Sequence, residues 1–331
     1  MADTKAKTHP DRVVLYLALV MLAIGAFFSL TTTVFLSFAN LFNLLESYAV
    51  TGIFSMGLLV VLVTGGIDIS FLATASVVQY LTVLVCRQVG IDDVLFLGLT
   101  VAIVIGACIG MGIGSLIYYL DIVSIIVTIS MQSVLFGLLM HASGGRSIYN
   151  LPAWMFRYGG THSFKIGDTA YVMGVGPLVL LAMAILTWFI LNHTTLGRQL
   201  YAFGGNPEAA RRLGVNLGRL HLFAYGYLGA MAAVGGITQV FRMEEVVPSS
   251  LVGRELDVLA AAVLGGASLM GGRGGVLGTI LGVFLIGVLK NGLNLYGVSS
   301  YFSDVVIGLV IILAVIATHY GKRKETEVGF V

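Results

Sequence analysis

Residues that could carry out covalent chemistry are few in this chain, and they form no complete catalytic pattern. Gly266 to Gly271 has the opening spacing of a phosphate-binding loop, but Gly272 stands where that loop requires lysine. The same segment begins like the serine elbow of hydrolases and fails at Met270, where the elbow requires glycine. The six histidines show no paired metal-ligand spacing, and two cysteines suggest no disulfide framework. We therefore expect a chain that is not an enzyme, with no catalytic residue, metal site or cofactor of its own.

Two charged residues lie within otherwise apolar runs. Asp68 follows a glycine pair in GGIDIS, and Lys290 lies in VFLIGVLKNGLNLYG. Charges at membrane depth are usually functional, so both could serve an ion-coupled carrier. Structural roles are equally open, because Asp68 could cap a helix that begins near Ser70 and Lys290 could extend towards the membrane surface. Asn291 and Asn294 could bond neighbouring helices or line a path.

A short polar segment, Ala202 to Asn216, interrupts long apolar runs. Asn206 is a suitable N-cap, Pro207 suits the first helical position, and Gly214 stands where a helix ends. An acidic residue in the first turn and two arginines in the last turn complement the helix dipole. The pattern predicts a helix from Pro207 to Leu213, which at about 10 Å is too short to be stable without a packing partner.

Composition places the chain in a membrane. It is 58% hydrophobic and 10% charged with a mean hydropathy of +0.98, whereas soluble domains carry about 25% charged residues. Ten windows without Asp, Glu, Lys or Arg span residues 13–45, 47–67, 69–86, 94–120, 122–145, 169–197, 220–241, 258–272, 274–289 and 305–321. Most approach the ~20 residues that cross a bilayer. We predict an all-α polytopic membrane protein with about ten transmembrane helices, or nine or eleven if the windows flanking Gly271–Gly275 are short or broken. The first apolar run is interpreted as a retained span rather than a signal peptide.

The distribution of basic residues predicts an orientation. With ten spans and a cytoplasmic N-terminus, the cytoplasmic segments hold eleven of the 18 Lys and Arg residues, the opposite side holds six, and Lys290 lies within a span. The positive-inside rule therefore places both termini and the Ala202–Asn216 segment in the cytoplasm. A net charge of +2 gives no indication of a nucleic-acid partner, and we expect none.

An internal echo indicates how the chain is built. VLVTGGIDIS (61–70) and AVLGGASLM (262–270) each end an apolar run with a glycine pair, and the pairs lie 200 residues apart. Matched glycine interruptions are typical of repeat-built transporters with broken helices, which here suggests a 5+5 repeat, although the similarity is short enough for chance recurrence. The residues assigned to the breaks and the translocation path are Gly65, Gly66, Asp68, Ser70, Gly265, Gly266, Ser268, Asn291 and Asn294.

Two outward loops could receive a soluble partner. The loop at about 142–170 carries Trp154 and two tyrosines, and the loop at 242–257 has mixed charge. Interfacial aromatics and solvated turns explain the same composition equally well.

A membrane chain without an ATP site that presents a short rigid helix to the cytoplasm suits a subunit driven by a separate ATPase. The helix would occupy a groove of that ATPase and transmit its closure as rigid-body motion. In this hypothesis Glu208, Arg211 and Arg212 supply charged contacts, while Ala209, Ala210 and Leu213 form the packed face. A solvated connector is the alternative. The predicted ATPase-coupling residues are Gly204, Gly205, Asn206, Pro207, Glu208, Ala209, Ala210, Arg211, Arg212, Leu213 and Gly214.

The chain resembles the sugar-type permeases of bacterial ABC importers, the ribose/xylose/galactoside branch of the binding-protein-dependent transporters. The motifs that carry the resemblance are GGIDIS (65–70), TLGRQLYAFGGNPEAARRLGVN (195–216), ELDVLAAAVLGGASLMGGRGGVLGT (255–279) and NGLNLYGVS (291–299). The resemblance implies a homodimer or a pair of related permeases, a periplasmic sugar-binding protein and a cytoplasmic ABC ATPase, with the coupling helix at 204–214. The chain departs from the family pattern after Asp68 and at Lys290, where an uncharged polar residue is expected.

Together these observations predict a permease subunit that moves a monosaccharide or small polyol across the bacterial inner membrane by alternating access. Residues 1–331 would form a single transmembrane domain, with cytoplasmic tails at 1–12 and 320–331 and a cytoplasmic coupling loop at 194–219. A nucleoside or signalling-sugar substrate, an ion-coupled secondary carrier and a scaffold subunit remain alternatives.

Overall fold

The computed structural model describes residues 9–159, 162–166, 169–310 and 312. The predicted tail 320–331 and most of the tail 1–12 lie outside these residues. The helices are α1 (His9–Thr31), α2 (Phe38–Val63), α3 (Phe71–Val89), α4 (Leu95–Leu120), α5 (Ser124–Ser143), α6 (Ala153–Gly159), α7 (Gly176–His193), α8 (Thr195–Gly205), α9 (Pro207–Arg212), α10 (Leu217–Met243), α11 (Glu255–Leu264), α12 (Val276–Leu295) and α13 (Ser300–Val310). Two short strands, β1 (His162–Ile166) and β2 (Thr169–Met173), pair in antiparallel fashion.

Eight of the helices are long and apolar enough to cross a membrane. The all-α polytopic prediction is therefore confirmed, with the β1–β2 hairpin as a small addition. The window at 258–272 overlaps only the ten-residue α11, which begins at Glu255, so the possibility that this window is short agrees with the structure. The window at 274–289 is occupied from Val276 onward by the continuous α12. Because the last window extends beyond the described residues, ten spans remain a prediction.

The centre of the molecule is α2, which has apolar residues on every side. Every residue from Gly52 to Val63 is buried, as expected for a helix surrounded by other helices. Its beginning is fixed by Ser37, whose side chain accepts a hydrogen bond from the backbone N–H of Asn40. Helices α7, α10, α11 and α12 pack around it, and α1 lies at the periphery with few buried residues.

Glycines bring α4 and α10 into backbone contact. A Cβ added at Gly106 or Gly229 would overlap the backbone carbonyl of the other residue, and one at Gly110 would overlap the carbonyl of Tyr225. Small residues allow membrane helices to approach this closely. The segment GACIGMGIG (106–114) supplies these small residues in α4.

Connections between the helices gather at two ends of the molecule. We call one the glycine end, formed by residues 64–70, 121–123, 194–216 and 265–275. We call the other the hairpin end, formed by residues 32–37, 90–94, 144–159, 162–166, 169–175, 244–254 and 296–299. At the glycine end, the Ile67 N–H donates to the Ser124 hydroxyl at 2.9 Å. At the hairpin end, the Ala153 N–H donates to Asp92 at 2.9 Å.

The two glycine pairs of the sequence echo end their helices in the same way but in different register. Both α2 and α11 close with a Schellman motif whose left-handed residue is Gly65 (φ +85°) in α2 and Gly266 (φ +92°) in α11. The structural offset is therefore 201 residues, one more than the offset between the glycine pairs. These motifs follow the second and the eighth apolar windows, six apart, so the echo does not align with a five-span repeat. The 5+5 repeat stays a prediction without support from this echo.

Candidate coupling site and translocation path

Helix α9 has the caps that its sequence predicts. The Asn206 side chain accepts a hydrogen bond from the Ala209 N–H at 3.0 Å, and Pro207 is the first helical residue. At the other end, Gly214 adopts φ +80° and its N–H donates to the Arg211 carbonyl. The Val215 N–H reaches the Ala210 carbonyl at 3.1 Å, which completes a Schellman motif. The helix ends at Arg212, one residue earlier than predicted.

Most of α9 faces solvent. Ala210 is buried inside the chain, so it cannot belong to a surface that meets a partner, as the sequence interpretation assumed. Ala209 is exposed, and Leu213 keeps 81% of its surface exposed. Glu208 and Arg212 form an exposed ion pair at 3.4 Å, which contributes only a few tenths of a kcal/mol.

Helix α8 anchors α9 to the helix bundle. Thr194 caps its N-terminus by accepting the Gly197 N–H at 3.1 Å, and Leu200 and Phe203 are buried. The Tyr201 hydroxyl donates to the Gly274 carbonyl at 2.8 Å, which ties α8 to the α11–α12 link. Burial raises the pKa of the Tyr201 phenol, so this donor keeps its proton.

Three helix connections meet backbone to backbone at the glycine end. We call Gly65, Gly204, Gly271 and Gly272 the glycine junction. The Gly272 N–H donates to the Val63 carbonyl at 2.9 Å. A Cβ on Gly271 would come within 2.7 Å of the Gly204 carbonyl oxygen and 2.8 Å of the Gly65 Cα, and one on Gly204 would overlap the Val63 carbonyl oxygen. The end of α8 therefore touches both the α2–α3 link and the α11–α12 link without an intervening side chain.

The sequence interpretation placed Gly65 and Gly204 in separate groups and assigned neither Gly271 nor Gly272 to a site. Both missed residues have positive φ, +84° and +70°, a conformation that favours glycine. The repeated glycines of MGGRGG (270–275) were the available signal. By contrast, Gly265 packs against Gly278 of α12 and Gly266 faces Val13 of α1, so the second echo pair lies apart from the glycine junction.

Asp68 acts locally on the start of α3. One carboxylate oxygen accepts the Ser70 N–H at 2.7 Å and the Ser70 hydroxyl at 2.6 Å, and Ser70 is the N-cap residue of α3. The carboxyl is almost fully buried, and this burial raises its pKa above the ordinary value, against the two hydrogen bonds that lower it. These contacts agree with the capping interpretation, and a role for Asp68 in the path stays a prediction.

Lys290 forms an ion triad and is not an isolated charge. Its ammonium contacts Asp257 of α11 at 2.7 Å and Asp304 of α13 at 3.1 Å. The triad joins three helices near the hairpin end. Sequence reasoning missed both acidic partners, because they lie 33 residues before and 14 residues after Lys290 in the sequence.

The polar residues near Lys290 and in the α11–α12 link differ in their surroundings, because some form hydrogen bonds within the chain and one is exposed. Asn291 exchanges two hydrogen bonds of 2.9 Å with Asn40 of α2, so its predicted bond to a neighbouring helix is confirmed. Asn294 is exposed. The Ser268 hydroxyl accepts the Met270 N–H at 3.2 Å and braces the α11–α12 link.

A cleft of about 540 Å³ opens at the glycine end. Its wall includes Gly66 from the α2–α3 link, Tyr118 from the end of α4, Ser124 from the start of α5, Arg211 from α9 and His221 from α10. Arg211 therefore borders the open cleft and is itself exposed, whereas the exposed Glu208 and Arg212 are not part of the cleft wall.

At the hairpin end, the two outward loops are joined. Ile148 and Val246 form an isolated β-bridge between them. Trp154 is fully buried against Gly98 of α4, so it is neither an interfacial aromatic nor a docking residue. Its burial follows from α6, whose first backbone N–H groups bond to Asp92. Among the described residues, no group of three or more His, Cys, Asp or Glu could hold a metal ion.

Comparison with known proteins gives consistent matches over most of the chain. Residues 40–315 match the family described as "Branched-chain amino acid transport system / permease component". The chain is 34% identical to the ribose import permease protein of Escherichia coli (strain K12) over 300 residues, which is 89% of this chain and 90% of that protein.

More distant relatives share the same extent. The chain is 29% identical to the fructose import permease protein of Rhizobium meliloti, with 93% of this chain and 85% of that protein covered. It is 28% identical to the xylose transport system permease protein of E. coli (strain K12), with 92% and 91% covered. No solved structure matches the chain.

Proposed function

This chain belongs to the family of transport-system permease components described above, and on that premise we propose that it carries a neutral monosaccharide across the bacterial inner membrane as the permease subunit of an ABC importer. The relatives named for ribose, fructose and xylose support the substrate class. The resemblance supports partnership with a cytoplasmic ABC ATPase, a periplasmic sugar-binding protein and a second permease copy or a related permease.

The glycine end faces the cytoplasm in this proposal. The described part of this end carries Arg198, Arg211, Arg212 and Arg273, all of them exposed, and the exposed Arg219 lies in the adjoining first turn of α10. The basic residues of both tails, most of which lie outside the described residues, are predicted to be on the same side. Basic residues accumulate on the cytoplasmic side of membrane proteins. The same orientation directs the hairpin end, with its two joined loops, to the periplasm, where a binding protein would dock.

The observation that carries the mechanism is the glycine junction. An ATPase that grips α9 would move α8 with it, since α8 and α9 are contiguous and Thr194 and Asn206 cap them. Because α8 touches the links after α2 and α11 through backbone atoms, no flexible side chain absorbs the displacement. Rigid contacts of this kind transmit domain closure as rigid-body motion, which would alternately open the two ends.

The described contacts do not favour an ion-coupled carrier. Asp68 is held by Ser70, and Lys290 is held by two aspartates, so neither charge is free to exchange an ion without breaking a local structure. A scaffold role leaves the fully capped and exposed α9 without a function.

The first test is recovery of the tagged chain from native membranes, with ATPase activity and sugar uptake measured after reconstitution. We expect an ATP-binding subunit to accompany the wild type, and uptake of ribose, xylose or fructose that requires ATP. Glu208→Ala/Arg212→Ala should weaken that association, while Arg87→Ala, an exposed change at the hairpin end, should not.

Substrate class is tested in the same preparation with labelled ribose, xylose, fructose and leucine. Leucine is included because the family description names branched-chain amino acids. Uptake of leucine in place of any sugar would overturn the monosaccharide assignment, and a chain recovered alone that still transports sugar under an ion gradient would overturn the importer assignment.

A further inference from the structure

Helix α3 carries three buried polar side chains whose polar atoms lack partners. Ser76, Gln79 and Thr82 are 0%, 1% and 0% exposed. Within the described part of the chain, no hydrogen-bond partner is found for the Ser76 hydroxyl, the Gln79 side-chain NH₂ or the Thr82 hydroxyl.

Unpaired groups of this kind are unusual inside proteins. Nearly all buried polar side-chain atoms in folded chains have a hydrogen-bond partner, because an unpaired one loses its contacts with water and gains nothing in return. Several other buried hydroxyls of this chain follow the rule, such as Thr238 of α10, which donates to the Val234 carbonyl of its own helix at 2.8 Å, although the buried Tyr225 hydroxyl also lacks a partner among the described residues. The α3 side chains therefore require an explanation beyond packing.

Their spacing puts all three on one side of the helix. Positions three residues apart are neighbours on the surface of an α-helix, and the three residues here fall within an arc of about 120° and about 9 Å along the axis. We call Ser76, Gln79 and Thr82 the α3 polar face. Helix α3 packs against α4, α5 and α10, so the face lies inside the bundle.

The α3 polar face lies on the helix that follows one of the links lining the cleft at the glycine end. Helix α3 starts directly after the α2–α3 link, and Gly65 and Gly66 of that link line the cleft. Its first turn follows the buried pair Asp68 and Ser70. Ser76, the first residue of the α3 polar face, therefore stands within two helical turns of the end of the α2–α3 link.

We propose that the α3 polar face binds the hydroxyl groups of the transported sugar and lines its path when α3 separates from the helices packed against it. This inference rests on the proposed function. Two hydroxyls and one amide offer donors and acceptors without charge, which suits a neutral polyol. A zwitterionic amino acid would need opposite charges to pair with its own, and the α3 polar face holds none.

The test compares near-isosteric replacements that remove one polar group each. Thr82→Val and Ser76→Ala are measured in the reconstituted transporter with its ATPase and binding protein, for uptake of ribose and of 2-deoxyribose. The matched control is Thr238→Val, the same change at a buried hydroxyl that already has a partner in its own helix. Thr82→Ser, which keeps the hydroxyl, serves as the rescue variant.

We expect Thr82→Val or Ser76→Ala to lower ribose uptake by about tenfold or more and to narrow the preference for ribose over 2-deoxyribose, since a site that bonds a hydroxyl discriminates against its absence. Thr82→Ser and Thr238→Val should keep the uptake of the wild type. If Thr82→Val does not fold, Ser76→Ala carries the same comparison.

The inference is overturned if both variants fold, are more heat-stable than the wild type, and keep the uptake and the sugar preference of the wild type. The three groups would then be sites of structural water. That result would leave the proposed function intact, because the wild type still transports sugar. A wild type that moves neither ribose nor any other sugar would overturn the proposed function and this inference together.

Discussion

Replacement of Gly204 by alanine tests the glycine junction directly. The new Cβ would overlap the Val63 carbonyl oxygen and lie 2.6 Å from the Gly272 nitrogen, two backbone atoms that already bond to each other. Overpacking of this kind costs about 1–3 kcal/mol, and loss of the Gly272 to Val63 hydrogen bond adds about 1 kcal/mol. Alanine returns up to about 1 kcal/mol of helix propensity, because Gly204 lies in the last turn of α8. We expect the free energy of unfolding to fall by about 1–3 kcal/mol.

The adjacent Gly205 supplies the matched control. It lies in the same helical turn, and a Cβ there would meet no atom within 4 Å. Gly205→Ala should therefore be neutral or stabilising by up to about 1 kcal/mol. Thermal unfolding of the purified chain in detergent measures both variants.

A functional readout separates transmission from stability. When the Gly204→Ala variant is reconstituted with its ATPase and binding protein, the ATPase should still hydrolyse ATP, but the transporter should move less sugar per ATP than the wild type. Gly112→Ala, a helical position on α4 whose Cβ would also meet nothing within 4 Å, should keep the wild-type ratio. If Gly204→Ala unfolds at the same temperature as Gly205→Ala and retains the wild-type ratio, backbone contact at Gly204 does not transmit the movement of α9.

Three further changes have defined outcomes. Asn291→Leu should destabilise the chain by about 1–3 kcal/mol because it removes both hydrogen bonds with Asn40 and leaves the Asn40 side-chain oxygen unpaired. The Asn40 NH₂ group keeps its bond to the Phe35 carbonyl. The double change with Asn40→Leu should cost less than the sum of the single changes, and strict additivity in a thermal-unfolding cycle would contradict the reciprocal pair. Lys290→Met should lower the free energy of unfolding by about 1–2 kcal/mol. This is less than the loss of a fully buried ion pair would cost, because its partners Asp257 and Asp304 are partly exposed. Lost uptake at unchanged stability would instead indicate a role in transport. Leu213→Asp should change the free energy of unfolding by less than about 0.5 kcal/mol, because the Leu213 side chain is 81% exposed. The same change should abolish copurification of the ATPase. Full retention of the ATPase would show that Leu213 is not part of the docking surface.

The parts of the site that sequence predicted well are governed by local rules. The caps of α9 depend on Asn206, Pro207 and Gly214, each within one turn of the group that it satisfies. The predicted helix was wrong by a single residue at its C-terminus.

The parts that sequence missed depend on contacts between distant segments. Lys290 was interpreted as a lone charge because neither Asp257 nor Asp304 is near it in the chain. Trp154 was interpreted as a loop aromatic, since nothing in its own segment indicates that Gly98 opens a pocket for it. The glycine junction was missed for the same reason, because nothing in the sequence near Gly204 or Gly271 indicates that their backbones are in contact.

Because of the backbone contact between α4 and α10, these two helices would move together as one rigid unit. With no side-chain layer between Gly106 and Gly229, they cannot slide past each other by changing rotamers, and α10 begins only three residues after Gly214. The 27 residues of α10 extend about 40 Å, so a tilt of about 5° at its base would displace its far end by about 3.5 Å. The far end of α10 packs against α6, which holds the buried Trp154. A tilt of α10 would therefore couple the hairpin end, where the sugar would enter, to α9, which would meet the ATPase.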